Sequence, residues 1–412
     1  VASSGPACRV IDRCGTECYL LQIPYIDRRP PRMRPILCVA LLVVAALTGQ
    51  PLRAQATGDL VIAVIAEQAE IPLPYAVISI PTRSIERFTD ARGRLIVPAL
   101  PVGTYQVTIR RLGYLPARLQ VTITANVSHA HLVRLARVPQ RLAGMQVKAI
   151  GGCERPGVPD EAQEPEVFML VSLLRENADR YRLLASQYPF LAMQMRALAE
   201  VQDDAVLLQS VDSTSVLSAT KAGYKAGRVV QRSGGLYSMA IPSILDLADD
   251  EFARTHCFFY GGASVDSSVR GTETWLRLDV RAANRLSDPD VHGSFFLDSA
   301  TAQLRRMELE LSRPDKLPRA LGSIAAVTAK TTFVEIASGL SVIESICAVT
   351  RLKPPTGRRA NPSATSTPVE LQQIMRYRFT TPPPDVDSTR DFPVPSWRAG
   401  QARPRASIWC ER

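Results

Sequence analysis

The sequence predicts a multidomain protein: an all-β sandwich is followed by an α+β domain with a curved antiparallel sheet and one main helix. Three observations predict this fold class. The chain has 412 residues, 46% of them apolar, which is enough for two domains with cores. Segments of alternating polarity recur over residues 58–137 with Gly and Pro between them, as in a sandwich. From Pro165 onward, one helical pattern is followed by further alternating segments.

Residues 33–56 have the order of a secretory signal. A positive start at Met33 precedes an apolar run over 36–47, and residues 54–56 form a small-x-small cleavage site. The run is short for a membrane span, so a short anchor or a buried helix is the alternative. We expect a signal peptide at 33–56 and a gene-model extension at 1–32. The mature protein would then be periplasmic, outer-membrane-associated or extracellular, with no transmembrane span.

The sandwich, predicted at 57–137, contains three turn motifs. Thr89–Leu95 reads T-D-x-x-G-x-h, in which Asp90 can accept backbone hydrogen bonds and Gly93 can take a positive φ. Residues 98–105 read P-A-L-P-V-G-T-Y and lead into the next strand, and residues 107–114 end that strand in a G-Y turn. These motifs predict tight connections between short strands.

In order and spacing, these motifs resemble the carboxypeptidase regulatory-like domain, a transthyretin-like (Ig-like) sandwich. The resemblance implies that the quoted residues are turn and core positions and carry no catalysis. Domains of this type occur beside peptidases, at the N-terminus of outer-membrane receptors and in carbohydrate-associated proteins. Tyr75, Tyr105 and Tyr114 could contact a sugar, but packing in the core or a turn is the expected role of each.

The second domain is predicted at 165–352, after a linker at 138–164 that is rich in Gly and Pro. Pro165 suits a first helical turn, and apolar residues recur at helical spacing up to Pro189. Strands are predicted at 190–201, 205–211, 227–232, 272–281, 292–298, 303–312, 326–336 and 340–350, with a short helix at 243–252. Residues 353–412 are rich in Pro and Arg and are expected to be largely disordered, with one short strand near 371–379.

This second region resembles the long C-terminal part of uncharacterised secreted proteins that carry a regulatory-like domain. The resemblance rests on P-S-h-h-D-L at 242–247, F-x-x-x-H-C-F at 252–258 and D-V-x-G-x-x-x-L-D-x-x-T at 290–301. The repeated strand–turn–strand pattern is also similar to sheets of the lipoprotein-carrier type, which implies a lipid-like ligand.

Four cysteines follow the signal: Cys153, Cys257, Cys347 and Cys410. An even number in an exported protein predicts disulfides. Cys153 opens the second region and Cys257 lies in its middle, so we favour the pair Cys153–Cys257. Cys347 is either a core residue or the partner of Cys410. Four cysteines allow three pairings, and the sequence does not choose among them.

The net charge of +10 is concentrated at the two ends of the chain. Residues 1–56 hold seven Arg and three acids, and residues 353–412 hold ten basic and five acidic residues. The middle then has 32 basic and 31 acidic residues. A near-neutral middle predicts no groove for nucleic acid, although the basic tail could touch a membrane surface or nucleic acid.

The catalytic patterns in the chain are incomplete. No histidine begins the H-x-x-E motif of a metallocarboxypeptidase, and His129 with His131 lacks a third ligand. Ser218 and Lys221 fit S-x-x-K without its companion motifs. Residues 288–293 begin like a calcium loop, but position twelve is Ser299. We therefore predict no catalytic, cofactor-binding or metal-binding residue.

We expect an exported, non-catalytic binding or accessory protein of the cell envelope. Its partner would be an envelope protein, a glycan or a lipid-like molecule. One alternative is a hydrolase with a dispersed site around Ser218, Asp246 or His256. The other alternative is a purely structural surface module. The pocket geometry distinguishes them: a polar cluster at those residues would favour catalysis, and the absence of a ligand-sized cavity would favour the structural module.

Overall fold

A computed structural model describes residues 55–138, 152–202, 205–221, 223–233, 236–268, 271–354, 367–393 and 396–404. The predicted extension at 1–32, nearly all of the predicted signal peptide and Cys410 lie outside these residues. Among the described residues, no helix is long and apolar enough to cross a membrane.

The first domain is a sandwich of two sheets, with strand orders β4-β1-β7 and β3-β2-β5-β6. In the first sheet β1 pairs antiparallel with β4 and parallel with β7. A single-turn 3-10 helix, Pro81–Arg83, joins β2 to β3. The strands are β1 Thr57–Ala66, β2 Val77–Ile80, β3 Ile85–Phe88, β4 Arg94–Pro101, β5 Gly103–Arg110, β6 Ala117–Ile123 and β7 Ser128–Leu135.

The sandwich forms because its strands alternate and its turns are specified. Leu60, Ile62 and Val64 point from β1 into the core and are fully buried, as the two-residue period of a strand requires. At the turn before β4, the Asp90 carboxylate accepts backbone hydrogen bonds from residues 92 and 94 at 2.9 and 2.8 Å. Gly93 has a φ of +71°, and a Cβ there would lie 2.6 Å from the Val64 carbonyl oxygen. The predicted turn chemistry is therefore present.

The second domain is an antiparallel sheet of eleven described strands with one main helix, α1. The strand order is β12-β13-β14-β15-β16-β17-β18-β8-β9-β20, and β19 pairs with β18. A separate hairpin, β10–β11, connects β9 to the short helices α2 and α3. Two further single-turn 3-10 helices are Pro314–Lys316 and Arg319–Leu321. The bounds are α1 Pro165–Gln187, β8 Phe190–Gln202, β9 Ala205–Leu217, β10 Val230–Ser233, β11 Leu236–Met239, α2 Ile244–Leu247, α3 Asp250–Thr255, β12 His256–Ser268, β13 Gly271–Ala282, β14 Val291–Asp298, β15 Leu304–Leu311, β16 Ile324–Ala337, β17 Leu340–Leu352, β18 Thr367–Phe379, β19 Thr389–Asp391 and β20 Ala402–Pro404.

Helix α1 packs its apolar stripe on one face of this sheet. Leu170, Leu174 and Leu184 are almost fully buried in the cluster that also holds Phe295 and Tyr377 from the strands. The opposite face carries a second apolar cluster over β8, β9, β17 and β18, which Trp397 helps to cover. Both faces of this part of the sheet are therefore core.

Two parts of the predicted domain map differ from the structure. The sequence predicted a short strand near 371–379 within a largely disordered tail that begins at 353; the strand is present but longer, and as β18 it lies inside the sheet between β17 and β8. Its alternating residues Val369 and Leu371 are buried, which the Pro-rich flanks obscured. The predicted linker also ends early: Cys153 exchanges backbone and side-chain hydrogen bonds with Asn284, and Gly157 donates to the His256 carbonyl oxygen.

A disulfide joins Cys153 to Cys257, with the Cα atoms 5.5 Å apart. This is the pairing that the sequence favoured, and it fixes the start of the second domain on the edge strand β12. Cys347 is disulfide-bonded as well, so its role is more than that of a core residue.

The sandwich and the second domain share a buried seam. Tyr75 and Phe88 of the sandwich belong to the same apolar cluster as helix α1. From α1, the buried Arg180 donates to the carbonyl oxygens of Tyr75 (2.8 Å) and Gly339 (3.0 Å). Gln187 both donates to and accepts from the backbone of β3. Burial lowers the pKa of Arg180 to about 9, so this guanidinium remains charged at neutral pH.

Candidate functional site

Ser218 and Lys221, the S-x-x-K pair, do not form a nucleophile and base. The Ser218 hydroxyl is buried and accepts a hydrogen bond from the Phe190 backbone N–H at 3.3 Å. The Lys221 ammonium instead pairs with Asp249 at 2.7 Å, and this contact raises the pKa of Lys221. A lysine that activates a serine must contact its hydroxyl in the neutral form, and this lysine meets neither condition.

Asp246 caps a helix. One oxygen of its carboxylate accepts from the backbone N–H and the hydroxyl of Ser243, at 2.7 and 2.6 Å. This is the reciprocal arrangement of a capping box, and it stabilises the first turn of α2. Asp246 is buried at that position.

His256 lies against the carboxylate of Asp290, and both side chains are completely buried. The His256 Nδ1 atom is 2.9 Å from the Phe252 carbonyl oxygen, which favours a proton on Nδ1. Its Nε2 atom is 3.7 Å from Asp290 Oδ1, beyond hydrogen-bond distance. Burial lowers the pKa of His256, against the pull of Asp290, and keeps the ring neutral. The pair resembles a general base in composition, but neither group reaches solvent.

Asp290 instead anchors the loop that enters strand β10. One carboxylate oxygen accepts from the Tyr224 hydroxyl at 2.8 Å, and the other accepts from the Gly227 backbone N–H at 2.7 Å. Burial and the nearby Asp290 carboxylate raise the pKa of Tyr224, so its hydroxyl keeps the proton that it donates. Asp290 is thus bonded to both ends of the segment 224–227.

The anchored loop forms one wall of a cleft with a volume of about 560 Å³. Clefts of about 300–1,000 Å³ are typical of small-molecule sites. The opposite wall comes from the loop before β14 and from the segment around the 3-10 helix Pro314–Lys316. The lining residues are Gly223, Lys225, Gly227, Arg228, Val230, Gln231, Asp288, Pro289, Lys316 and Pro318.

The cleft lining is mixed in polarity and carries more positive than negative charge. Lys225, Arg228 and Lys316 supply three cations, and Asp288 supplies one carboxylate. All four side chains are exposed. Backbone at Gly223 and Gly227 has φ values of +79° and +68°, a conformation that other residues rarely adopt, so the turns of this wall require glycine. The arrangement can bind a ligand through charge and hydrogen bonds, and it presents no nucleophile next to a base.

The hairpin beside the cleft is fixed to the sheet from below. Val229 is fully buried, and with Met239 it lines a small cavity of about 20 Å³ over Val291 and Leu309. A cavity of that size has room for about one water molecule. The hairpin is therefore packed closely on the sheet. The space large enough for a ligand lies on the solvent side of the hairpin, in the cleft.

Two of the residues weighed as metal ligands, His129 and Asp290, have other partners. Over the described parts of the chain, no three His, Cys, Asp or Glu side chains are grouped as a metal site. His129 Nε2 accepts from the Thr124 backbone N–H at 3.0 Å. In the loop that begins like a calcium site, the Asp290 oxygens are occupied by the hydrogen bonds described above.

The sequence missed the cleft residues for a physical reason. The sequence predicted a strand at 227–232, which includes Arg228 and begins two residues after Lys225. In the structure this strand begins only at Val230. Lys316 comes from a distant segment of the chain. The signal that was available is the glycine spacing around Tyr224, which indicates a turn.

Solved structures resemble the chain only distantly. One is a candidate carbohydrate-binding protein from Bacteroides uniformis ATCC 8492, with 10% identity over 58% of this chain and 96% of that one, at a TM-score of 0.17. A DUF1329 family protein from Desulfovibrio piger ATCC 29098 has 8% identity, with 51% and 93% covered and a TM-score of 0.24. A candidate membrane-associated protein of unknown function from Bacteroides fragilis NCTC 9343 has 12% identity, with 79% and 100% covered and a TM-score of 0.15. No curated protein matches the chain.

The sequence profile of one family matches the sandwich. The match covers residues 61–136, from the middle of β1 to one residue beyond the end of β7. It includes the turn at Asp90 and Gly93 and the Tyr105 hydroxyl, which donates to the Pro101 carbonyl oxygen at 2.8 Å. The first domain of this protein is a carboxypeptidase regulatory-like domain.

Proposed function

We propose that this protein is an exported, non-catalytic binding or accessory protein of the cell envelope, and that the cleft above Asp290 is its ligand site. The observation that carries the proposal is the cleft itself. It is large enough for a small molecule, and its wall is held in place by a buried carboxylate. The residues that could have formed a dispersed hydrolase site are each engaged in packing or capping.

Two further features support the proposal. The disulfide Cys153–Cys257 is of the kind that persists in oxidising compartments, in agreement with export. The regulatory-like sandwich shares a core with the second domain, so it can present that domain in a fixed orientation. Both features fit an accessory role in the envelope.

The experiment is native mass spectrometry of the full protein purified from its own envelope. We expect a co-purifying mass that remains with the wild type. Gln231→Trp should displace it, because Gln231 is an exposed residue of the cleft lining and an indole ring would occupy the space. Gln106→Trp is the matched control, since Gln106 is exposed on strand β5 of the sandwich.

Two results would contradict the proposal. Turnover of an ester, peptide or glycan that is abolished by His256→Gln would favour the hydrolase. Absence of any bound mass in both the wild type and the Gln106→Trp control would favour the structural module.

A further inference from the structure

The cations of the cleft have few partners of their own. Neither Lys225 nor Arg228 makes an ion pair or a side-chain hydrogen bond with any other described residue. Lys316 has only a 3.9 Å contact with the exposed Asp315. Elsewhere on the second domain, Lys221, Arg196 and Arg376 are paired with carboxylates at 2.5–2.7 Å, whereas the exposed Arg319 and Arg351 have no ion pair with a described residue. The cations of the cleft differ in that three of them line one concavity with a single carboxylate, and this excess of positive charge indicates an anionic ligand.

Two of these cations, Lys225 and Arg228, are held on backbone that has little freedom. Lys225 lies between Tyr224 and Gly227, and both of these donate to the buried Asp290. Arg228 follows immediately, and its backbone N–H donates to the Lys225 carbonyl oxygen at 2.9 Å. The next residue, Val229, is buried against the sheet. The backbone that carries Lys225 and Arg228 is therefore ordered before a ligand arrives, which removes the cost of ordering this loop from the entropic cost of binding.

The composition of the lining identifies the chemical class of the ligand. Three cations against one carboxylate exceed what a single carboxylate group would neutralise, but they suit a dianion. Lysine binds phosphate as a point charge, and the arginine fork donates two parallel hydrogen bonds to its oxygens. The volume of about 560 Å³ leaves room for more than the phosphate itself. We infer that the cleft binds a phosphate monoester, with the phosphate between Lys225, Arg228 and Lys316.

This inference rests on the proposed function and specifies its ligand. A phosphate monoester can be a soluble metabolite or the head group of a lipid, and the chemistry at the cleft is the same for both. Two probes separate these sources: glycerol 3-phosphate as the soluble monoester, and a short-chain phosphatidic acid below its micelle concentration as the lipid.

The test is isothermal titration calorimetry of the full protein with each probe. We expect saturable binding that weakens as salt is raised, because exposed charges are screened. The double variant Lys225→Ala/Arg228→Ala should lose about a hundredfold in affinity, at about tenfold for each cation removed. The double variant Arg83→Ala/Arg118→Ala removes the same charge from exposed positions on the sandwich and should bind as the wild type does.

The outcomes are distinct. Preference for phosphatidic acid assigns a lipid-like ligand, and preference for glycerol 3-phosphate assigns a soluble monoester. Equal binding of both probes supports the inference with the phosphate as the recognised group. Equal loss in the two double variants, or no binding of either probe to the wild type, overturns the inference. A neutral molecule that co-purifies with the protein and is displaced by Gln231→Trp would overturn the phosphate assignment while leaving the proposed function intact. Binding of the phosphate probes to a protein that carries no co-purifying mass would support the phosphate assignment and count against the proposed envelope ligand.

Discussion

Replacing Asp290 with alanine should destabilise the protein strongly and open the cleft wall. Asp290 is completely buried and accepts hydrogen bonds from the Tyr224 hydroxyl and the Gly227 backbone N–H. Each donor left without a partner in a buried position costs about 1–3 kcal/mol. Two such donors together give an expected fall of about 2–6 kcal/mol in the free energy of unfolding of Asp290→Ala.

Urea unfolding measures this loss, and amide hydrogen exchange at Gly227 reports the anchor directly. Asp288→Ala is the control, because Asp288 is two residues away, lines the same cleft and is exposed. Its effect should stay within about 0.5 kcal/mol. A loss below about 1 kcal/mol in Asp290→Ala, with Gly227 still protected, would refute the reasoning. Affinity for glycerol 3-phosphate should fall in Asp290→Ala as well, because the backbone that carries Lys225 and Arg228 loses its anchor.

Three further predictions concern the seam, the buried histidine and the disulfide. Arg180→Met should lower the free energy of unfolding by about 2–4 kcal/mol, because it leaves two buried carbonyl oxygens without donors. Urea unfolding measures this loss. An unchanged free energy of unfolding would mean that water molecules reach these two oxygens. Burial lowers the pKa of His256 below the usual 6.5, so the unfolded chain takes up a proton that the native state refuses, and stability should fall as pH drops below about 6.5. In His256→Gln, the free energy of unfolding should fall less steeply as the pH is lowered, and unfolding measured over a range of pH tests this. Burial also lowers the pKa of His292, but His292 is present in both proteins and contributes equally to both. Equal slopes in the wild type and the variant would contradict the role given to His256. Replacing Cys153 and Cys257 by alanine should lower the free energy of unfolding by about 2–5 kcal/mol, since the disulfide closes a loop with a sequence separation of 104. Thermal unfolding measures this loss. Free thiols at both positions of the wild type, found by non-reducing peptide mapping, would contradict the pairing.

The parts of the fold that the sequence predicted best are those with strong local signals. The turn at Asp90 and Gly93 needs those residue types wherever it occurs, and the family match confirms the domain that contains it. Helix α1 has the predicted bounds, because Pro165 and Pro189 mark its two ends and its apolar stripe is regular. Local chemistry determines each of these features.

The features that the sequence missed depend on distant parts of the chain. Strand β12 follows α3 without a breaking residue, so its start at His256 is set by pairing with β13. A short strand was predicted near 371–379, but the full length of β18 and its place in the sheet depend on pairing with β17 and β8. The same holds for the site: Asp290 was considered as a calcium ligand, and its role became visible only with Tyr224 and Gly227 beside it.

The buried seam has a consequence for dividing the gene. A fragment cut at the end of the family match would expose Tyr75, Val77 and Phe88, which are almost fully buried in the intact chain. Apolar patches of that kind promote aggregation. The unit that is recognisable by sequence is thus smaller than the unit that can be expected to stay soluble. Work on the sandwich alone would need polar replacements at those three positions, or helix α1 supplied in trans.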